Sequence, residues 1–194
     1  MYENRYKNTN ITFRPDLETF LQLLADLDRD IELFAIGGTA MILANIKEST
    51  KDIDFLTTLD HKELQKVLEL AGLKEKNTSQ LCNTWLLNDK IRIDFFYNNF
   101  ILGYSFPDNW KTSSIYLRSI GKIKLYILNW YDIIITKLAR SEERDILDIL
   151  LILKKQKIDF TILKQRYYEC APGSLISNYD LKFKHLEYKL SESK

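Results

Sequence analysis

Phe34-Ala35-Ile36-Gly37-Gly38-Thr39-Ala40 and, further on, Thr50-Lys51-Asp52-Ile53-Asp54-Phe55-Leu56 are the stretches whose reading decides the fold. The first joins an apolar run to a short helical pattern through two glycines, which let backbone N–H groups approach an anion with no Cβ in the way. A P-loop is excluded because no Gly-Lys-Ser/Thr follows, and a dinucleotide fingerprint because Gly-x-Gly-x-x-Gly is absent. In the second stretch, strand side chains alternate with period two, so Asp52 and Asp54 share one face and Ile53 and Phe55 the other. Two carboxylates on one side of a strand repel unless a cation lies between them, which is a metal-site signature.

Ile91-Arg92-Ile93-Asp94-Phe95-Phe96 sets a third carboxylate, Asp94, in an apolar strand. If that strand lies beside the first, ladder spacing of about 4.8 Å brings Asp52, Asp54 and Asp94 within reach of a cation pair. Oxygen ligands without His or Cys favour Mg²⁺ or Mn²⁺ over zinc. Asp26, Asp28 and Asp30 show the same bare spacing, but they end an amphipathic helix and read as a solvated terminus.

Working outward, Phe20, Leu23, Leu24 and Leu27 recur at helical spacing and predict a helix over Pro15–Leu27, with Pro15 in its first turn. Ile31–Ile36 and Ile53–Thr57 read as strands, Thr39–Ala44 as a short helix, and His61–Ala71 as a helix closed by Gly72. Leu81–Leu87 and Ile91–Phe96 flank Asn88-Asp89, a hairpin signal; Ser114–Arg118 and Ile123–Tyr126 complete the strands. Helical patterns then cover Asn129–Ala139, Glu142–Lys155 with Ser141 as its N-cap, Phe160–Tyr168 and Leu175–Leu190, broken at Cys170-Ala171-Pro172-Gly173-Ser174. The expected fold is α/β (α+β), a mixed twisted sheet flanked by helices, with a core over residues 1–128 and a helical region over residues 129–194.

The 194 residues suffice for a real core, and 45% hydrophobic with 28% charged residues is an ordinary globular balance. A net charge of +1 gives no global basic field, so any nucleic-acid contact must come from a local patch. Two cysteines, Cys82 and Cys170, 88 residues apart with no nearby histidine pair, argue against a disulfide scaffold and a zinc module. The polar start Met1–Asn8 and the lack of a long apolar run predict a cytoplasmic protein with no membrane span.

Strand–Gly37-Gly38–helix, then Thr50-Lys51-Asp52-Ile53-Asp54, then Asp94 in a later strand, resembles the nucleotidyltransferase superfamily of the DNA-polymerase-β type. More narrowly, Gly37-Gly38-Thr39-Ala40 with Lys137-Leu138-Ala139-Arg140 and Arg144-Asp145-Ile146-Leu147-Asp148 is similar to the AbiEii/MenT-type bacterial toxin nucleotidyltransferases. The resemblance spans Ile31–Leu153. It implies that Gly37, Gly38 and Thr39 hold a triphosphate, that Asp52, Asp54 and Asp94 ligate the metals, and that Asp94 doubles as the base for an incoming hydroxyl. It places Lys137 on the triphosphate and Asp145 in the site, while Asp148 is open to orienting Arg144 or Arg140. Glu48 is a departure, since the family often carries Arg there, a cation near the nucleotide.

The implied activity is Mg²⁺- or Mn²⁺-dependent transfer of a nucleoside monophosphate from an NTP to a hydroxyl, the 3′ end of tRNA, by a toxin-like component held by an antitoxin. Residues 154–194 carry nine Lys and Arg against five Asp and Glu, interleaved with Tyr167, Tyr168, Tyr179, Phe183 and Tyr188. That pattern suits a single-stranded RNA end, but it fits better two amphipathic helices with solvated outer faces and their aromatics in the core. Two other readings stand beside this one: transfer to a small-molecule hydroxyl such as an aminoglycoside or lincosamide, and a catalytically silent nucleotide-binding module.

Overall fold

The computed structural model describes residues 11–79, 82–97 and 100–192; Met1–Asn8 and Leu81 lie outside the described residues. The chain divides into two compact units, Met1–Asn98 with Tyr116–Ile127, and Asn99–Ile115 with Leu128–Lys194.

The first unit is built on a seven-stranded mixed sheet in the order β10-β11-β2-β4-β7-β6-β5. Its centre is β2 (Ile31–Ala35), β4 (Ile53–Thr57) and β7 (Ile91–Phe96). Strand β4 runs antiparallel to β2 and parallel to β7, so the end of β2 and the beginnings of β4 and β7 lie at one edge. On one side, β11 (Ile123–Ile127) pairs parallel with β2, and β10 (Ile115–Ile120) flanks it. On the other side, β6 (Cys82–Leu87) forms the expected hairpin with β7, and Asn88 and Asp89 both take positive φ in its turn, as a type I′ connection requires.

The apolar face of this sheet is closed by α1 (Arg14–Ala25), which buries Leu17, Phe20, Leu21 and Leu24. Phe20 packs against Phe55 and Phe95 at ring-centroid distances of 6.1 and 6.2 Å. Each such burial contributes roughly 2 kcal/mol, and together they fix which face of β4 and β7 is covered. Asp26, Asp28 and Asp30 are exposed beyond α1, in keeping with a solvated terminus. Helices α2 (Gly37–Leu43) and α3 (His61–Leu70) follow β2 and β4. Short strand β1 (Thr12–Phe13) pairs with β3 (Ser49–Thr50), just ahead of Asp52. The edge strand β5 (Lys74–Thr78) has no apolar alternation; it forms because β6 supplies a ladder partner.

The second unit carries a small hairpin, β8 (Phe100–Ile101) and β9 (Tyr104–Ser105), with α4 (Trp130–Arg140), α5 (Glu143–Lys155), α6 (Phe160–Cys170) and α7 (Tyr179–Glu192). At the start of α5 and the start of α7 the structure departs from the sequence reading. Ser141 is not the N-cap of α5. It takes φ +58° and closes α4, while Glu142 caps α5 in reciprocal bonding with Asp145. Helix α7 begins at Tyr179 rather than Leu175, because Leu175 N–H donates to Gly103 C=O at 2.9 Å and leaves its side chain exposed. Among the described residues, no helix is long and apolar enough to cross a membrane.

Candidate active site

Strand register builds the acidic face. Asp54 and Asp94 are direct partners across the parallel β4/β7 pair, flanked by Ile53 with Ile93 and Phe55 with Phe95. The four apolar residues are fully buried on the face that α1 covers, and alternation sends both aspartates to the opposite face. Asp52 lies one residue before β4, level with Arg92 at the start of β7. The Arg92 guanidinium joins the two ends of the cluster: Nη2 is 2.7 Å from Asp94 Oδ2, Nε donates to Asp94 Oδ1 at 3.0 Å, and Nε is 3.8 Å from Asp52 Oδ1. The Thr84 hydroxyl donates to Asp94 Oδ1 at 2.7 Å.

The glycine turn meets this face. Gly37 has φ +54°, the left-handed region that costs other residues about 1–2 kcal/mol. A Cβ on Gly37 would stand 3.2 Å from Asp54 Oδ2, so the absent side chain is what lets the turn and the carboxylate approach. A Cβ on Gly38 would stand 2.1 Å from Thr50 Oγ1. Thr39 is fully buried, and its hydroxyl accepts the Asp54 backbone N–H at 2.8 Å. Thr39 therefore fixes the strand position that carries Asp54. Ile36 N–H donates to Asp54 C=O at 3.2 Å, so both backbone groups of Asp54 are tied to the glycine turn.

Cys82 shares this environment. Burial, then the charges of Asp94, Asp54 and Asp52, push its thiol up to about 12 against an opposing effect of Arg92, so it stays protonated at neutral pH. Burial alone would lower the Arg92 guanidinium; the bonds and charge of Asp94, then Asp52 and Asp54, raise it instead.

Lys137 and Asp145 lie in the second unit, in contact with each other. Lys137 is 5% exposed; its ammonium is 2.6 Å from Asp148 Oδ2 and 3.7 Å from Asp145 Oδ1. Asp148 thus partners Lys137. Asp145 is fully buried and takes two bonds from Arg140, at 2.6 and 2.7 Å. Burial works to raise the Asp145 carboxyl, but the Arg140 bonds and charge, Lys137 and the Glu142 N–H outweigh it and hold it below the ordinary carboxylate range. Of the C-terminal aromatics, Tyr167 and Phe183 are fully buried with centroids 5.0 Å apart, and Tyr168 packs on Phe183 at 5.4 Å. Those rings form a core rather than a stacking platform, while Tyr188 is exposed.

Arg92 and Thr84 escaped the sequence reading. Period two places Arg92 on the face of Asp94, and counting back from the Asn88-Asp89 turn pairs Thr84 with Asp94.

Residues 15–194 match the family model described as nucleotidyltransferase of unknown function (DUF6036). The chain belongs to this nucleotidyltransferase family. No curated protein matches the sequence. Among solved structures, a candidate nucleotidyltransferase from Thermotoga maritima is similar at 15% identity, covering 72% of this chain and 95% of that one, with a TM-score of 0.47. An antigenic nucleotidyltransferase-like protein from Paracoccidioides brasiliensis is similar at 14% identity, covering 75% and 78%, with a TM-score of 0.47. The Megavirus polyadenylate synthase is similar at 14% identity, covering 75% of this chain but 33% of that one, with a TM-score of 0.48.

The donor chemistry at the glycine turn of this family member suits a hard divalent cation: three aspartates supply oxygen only, two of them in direct register. Among the described residues, no three His, Cys, Asp or Glu side chains are drawn together tightly enough to hold a metal ion. Arg92 already lies against two of the three.

Proposed function

We propose that this protein is a divalent-metal-dependent nucleotidyltransferase, moving a nucleoside monophosphate from an NTP to a hydroxyl group. The register pairing of Asp54 with Asp94 beside the Gly37 turn carries this reading. Asp52, Asp54 and Asp94 would hold Mg²⁺ or Mn²⁺, which when bound supplies Lewis-acid charge at the α-phosphate. Gly37 and Gly38 present backbone to the phosphates without side-chain obstruction. Thr39 positions Asp54 through its backbone, and Thr84 orients Asp94, to which we assign the proton of the attacking hydroxyl. The oxygen of that hydroxyl bonds to the α-phosphorus and pyrophosphate departs. Lys137, with Asp145 and Asp148, ties α4 to α5.

For the acceptor we propose the 3′ hydroxyl of an RNA, tRNA by the resemblance above, within a toxin-like system held by an antitoxin. Purified protein incubated with Mg²⁺ or Mn²⁺, each labelled NTP in turn and total tRNA is expected to give labelled RNA. Asp54→Asn is expected to abolish the label while leaving the circular-dichroism spectrum unchanged. An aminoglycoside arm tests the small-molecule acceptor. Absence of transfer with every nucleotide, metal and acceptor would overturn the proposal, and an unaltered rate in Asp54→Asn would remove the carboxylates from it.

A further inference from the structure

Arg92 stands two residues before Asp94 on the carboxylate face, and one guanidinium makes three contacts with two carboxylates: 2.7 and 3.0 Å to Asp94 and 3.8 Å to Asp52. A guanidinium and a divalent cation recognise the same feature, closely spaced carboxylate oxygens, so they compete for the same lone pairs and repel each other as like charges. Asp94 Oδ1 also accepts from Thr84, so both oxygens of Asp94 are engaged by side-chain donors. The Asp94 side chain is 6% exposed and anchored, whereas that of Arg92 is 47% exposed and on a long stem. Of the two, Arg92 is the group with room to leave.

Resting on the carboxylate–metal reading above, we propose that Arg92 is the resident counter-cation of the site and competes directly with the divalent cation for Asp94 and Asp52. Arg92 offsets part of the cluster's negative charge when no metal is bound, and metal entry displaces it outward. Its presence therefore weakens metal affinity while stabilising the unloaded protein. A structural ion pair with no bearing on metal would leave metal affinity unchanged when removed.

The test is Mn²⁺ titration of the full chain without nucleotide, with free Mn²⁺ read by electron paramagnetic resonance, for wild type, Arg92→Gln, Arg92→Lys and Asp54→Asn. Removing a charge-assisted competitor is expected to tighten Mn²⁺ binding roughly tenfold in Arg92→Gln. Arg92→Lys keeps the charge but loses the fork and is expected to gain less, which retains a readout should Arg92→Gln not fold. Unloaded Arg92→Gln is expected to melt below wild type, and saturating Mn²⁺ to raise its melting temperature by more. Equal or weaker Mn²⁺ binding in the Arg92 variants, with wild type binding and Asp54→Asn not, overturns the role of Arg92 and leaves the proposed function standing. No binding by any variant, or binding that Asp54→Asn does not change, overturns both.

Discussion

At the scale of single residues, the geometry around the glycine turn sets two measurable costs. An alanine Cβ at Gly38 would lie 2.1 Å from Thr50 Oγ1 and 2.8 Å from Thr50 Cβ, and no rotamer of Thr50 relieves the second contact. Gly38→Ala is expected to lose about 1–3 kcal/mol in urea unfolding, the usual range for overpacking. In a double-mutant cycle, Thr50→Gly removes both contacting atoms and is expected to recover most of that loss; strain unchanged by Thr50→Gly would lie elsewhere. Thr39→Val keeps the shape but leaves the buried Asp54 N–H without its acceptor, a penalty of about 1–3 kcal/mol. Thr39→Ser is expected to restore both stability and label transfer, whereas Thr39→Val lowers both. Asp54 and Asp94 stand out in the sequence because each interrupts an apolar run, and Gly37 and Gly38 because they end one; Asp52 stands out only through its two-residue spacing from Asp54. Arg92 and Thr84 are harder to pick out: each gains its role from Asp94, Arg92 by sharing its face two residues away and Thr84 through the register of the β6–β7 hairpin. The family resemblance implies a phosphate role for Thr39, and in the fold its buried hydroxyl accepts the backbone N–H of Asp54 in β4.

At the scale of elements, the strands with strict alternation and the helices with apolar faces matched their sequence patterns to within a few residues, because burial of one face dictated both. Strand β5 was invisible: Lys74, Glu75, Lys76 and Asn77 are exposed with no apolar alternation, and the ladder to β6 makes them a strand. Ser141 was misread because a serine before a helix suggests an N-cap, whereas the end of the preceding helix required a left-handed residue at that position. The joint between α4 and α5 also has a pH dependence. The folded Asp145 carboxyl is held below its unfolded value, so its bonds to Arg140 contribute stability above the ordinary carboxylate range, and that contribution is lost as pH falls through the folded value. Asp145→Asn is expected to lose on the order of 2 kcal/mol at about pH 7 and much less at about pH 3, measured by urea midpoints. An equal loss at both values would mean that the carboxylate charge is not what Arg140 holds.

At the scale of the whole molecule, each unit carries one free thiol, Cys82 in the first and Cys170 in the second. Both are held protonated by their surroundings. Burial and the three aspartates push Cys82 up to about 12, and burial, against Arg166 and with Asp132 and Glu169, pushes Cys170 up to about 11. An unfolded thiol titrates near ~8.5, and only the thiolate attacks an alkylating agent. At about pH 8 the folded chain is therefore expected to react with iodoacetamide at least ~100-fold more slowly than the urea-unfolded chain at both cysteines. Mass spectrometry of peptides containing each cysteine, across a urea series, then follows the two units separately, since the jump in labelling of Cys82 marks loss of the carboxylate-bearing sheet and that of Cys170 marks loss of the helices. Saturating Mn²⁺ is expected to move the Cys82 jump to higher urea, because a ligand held only by the folded form shifts unfolding by mass action. A Cys82 jump that ignores Mn²⁺, in a protein shown to bind it, would place the metal away from Asp52, Asp54 and Asp94.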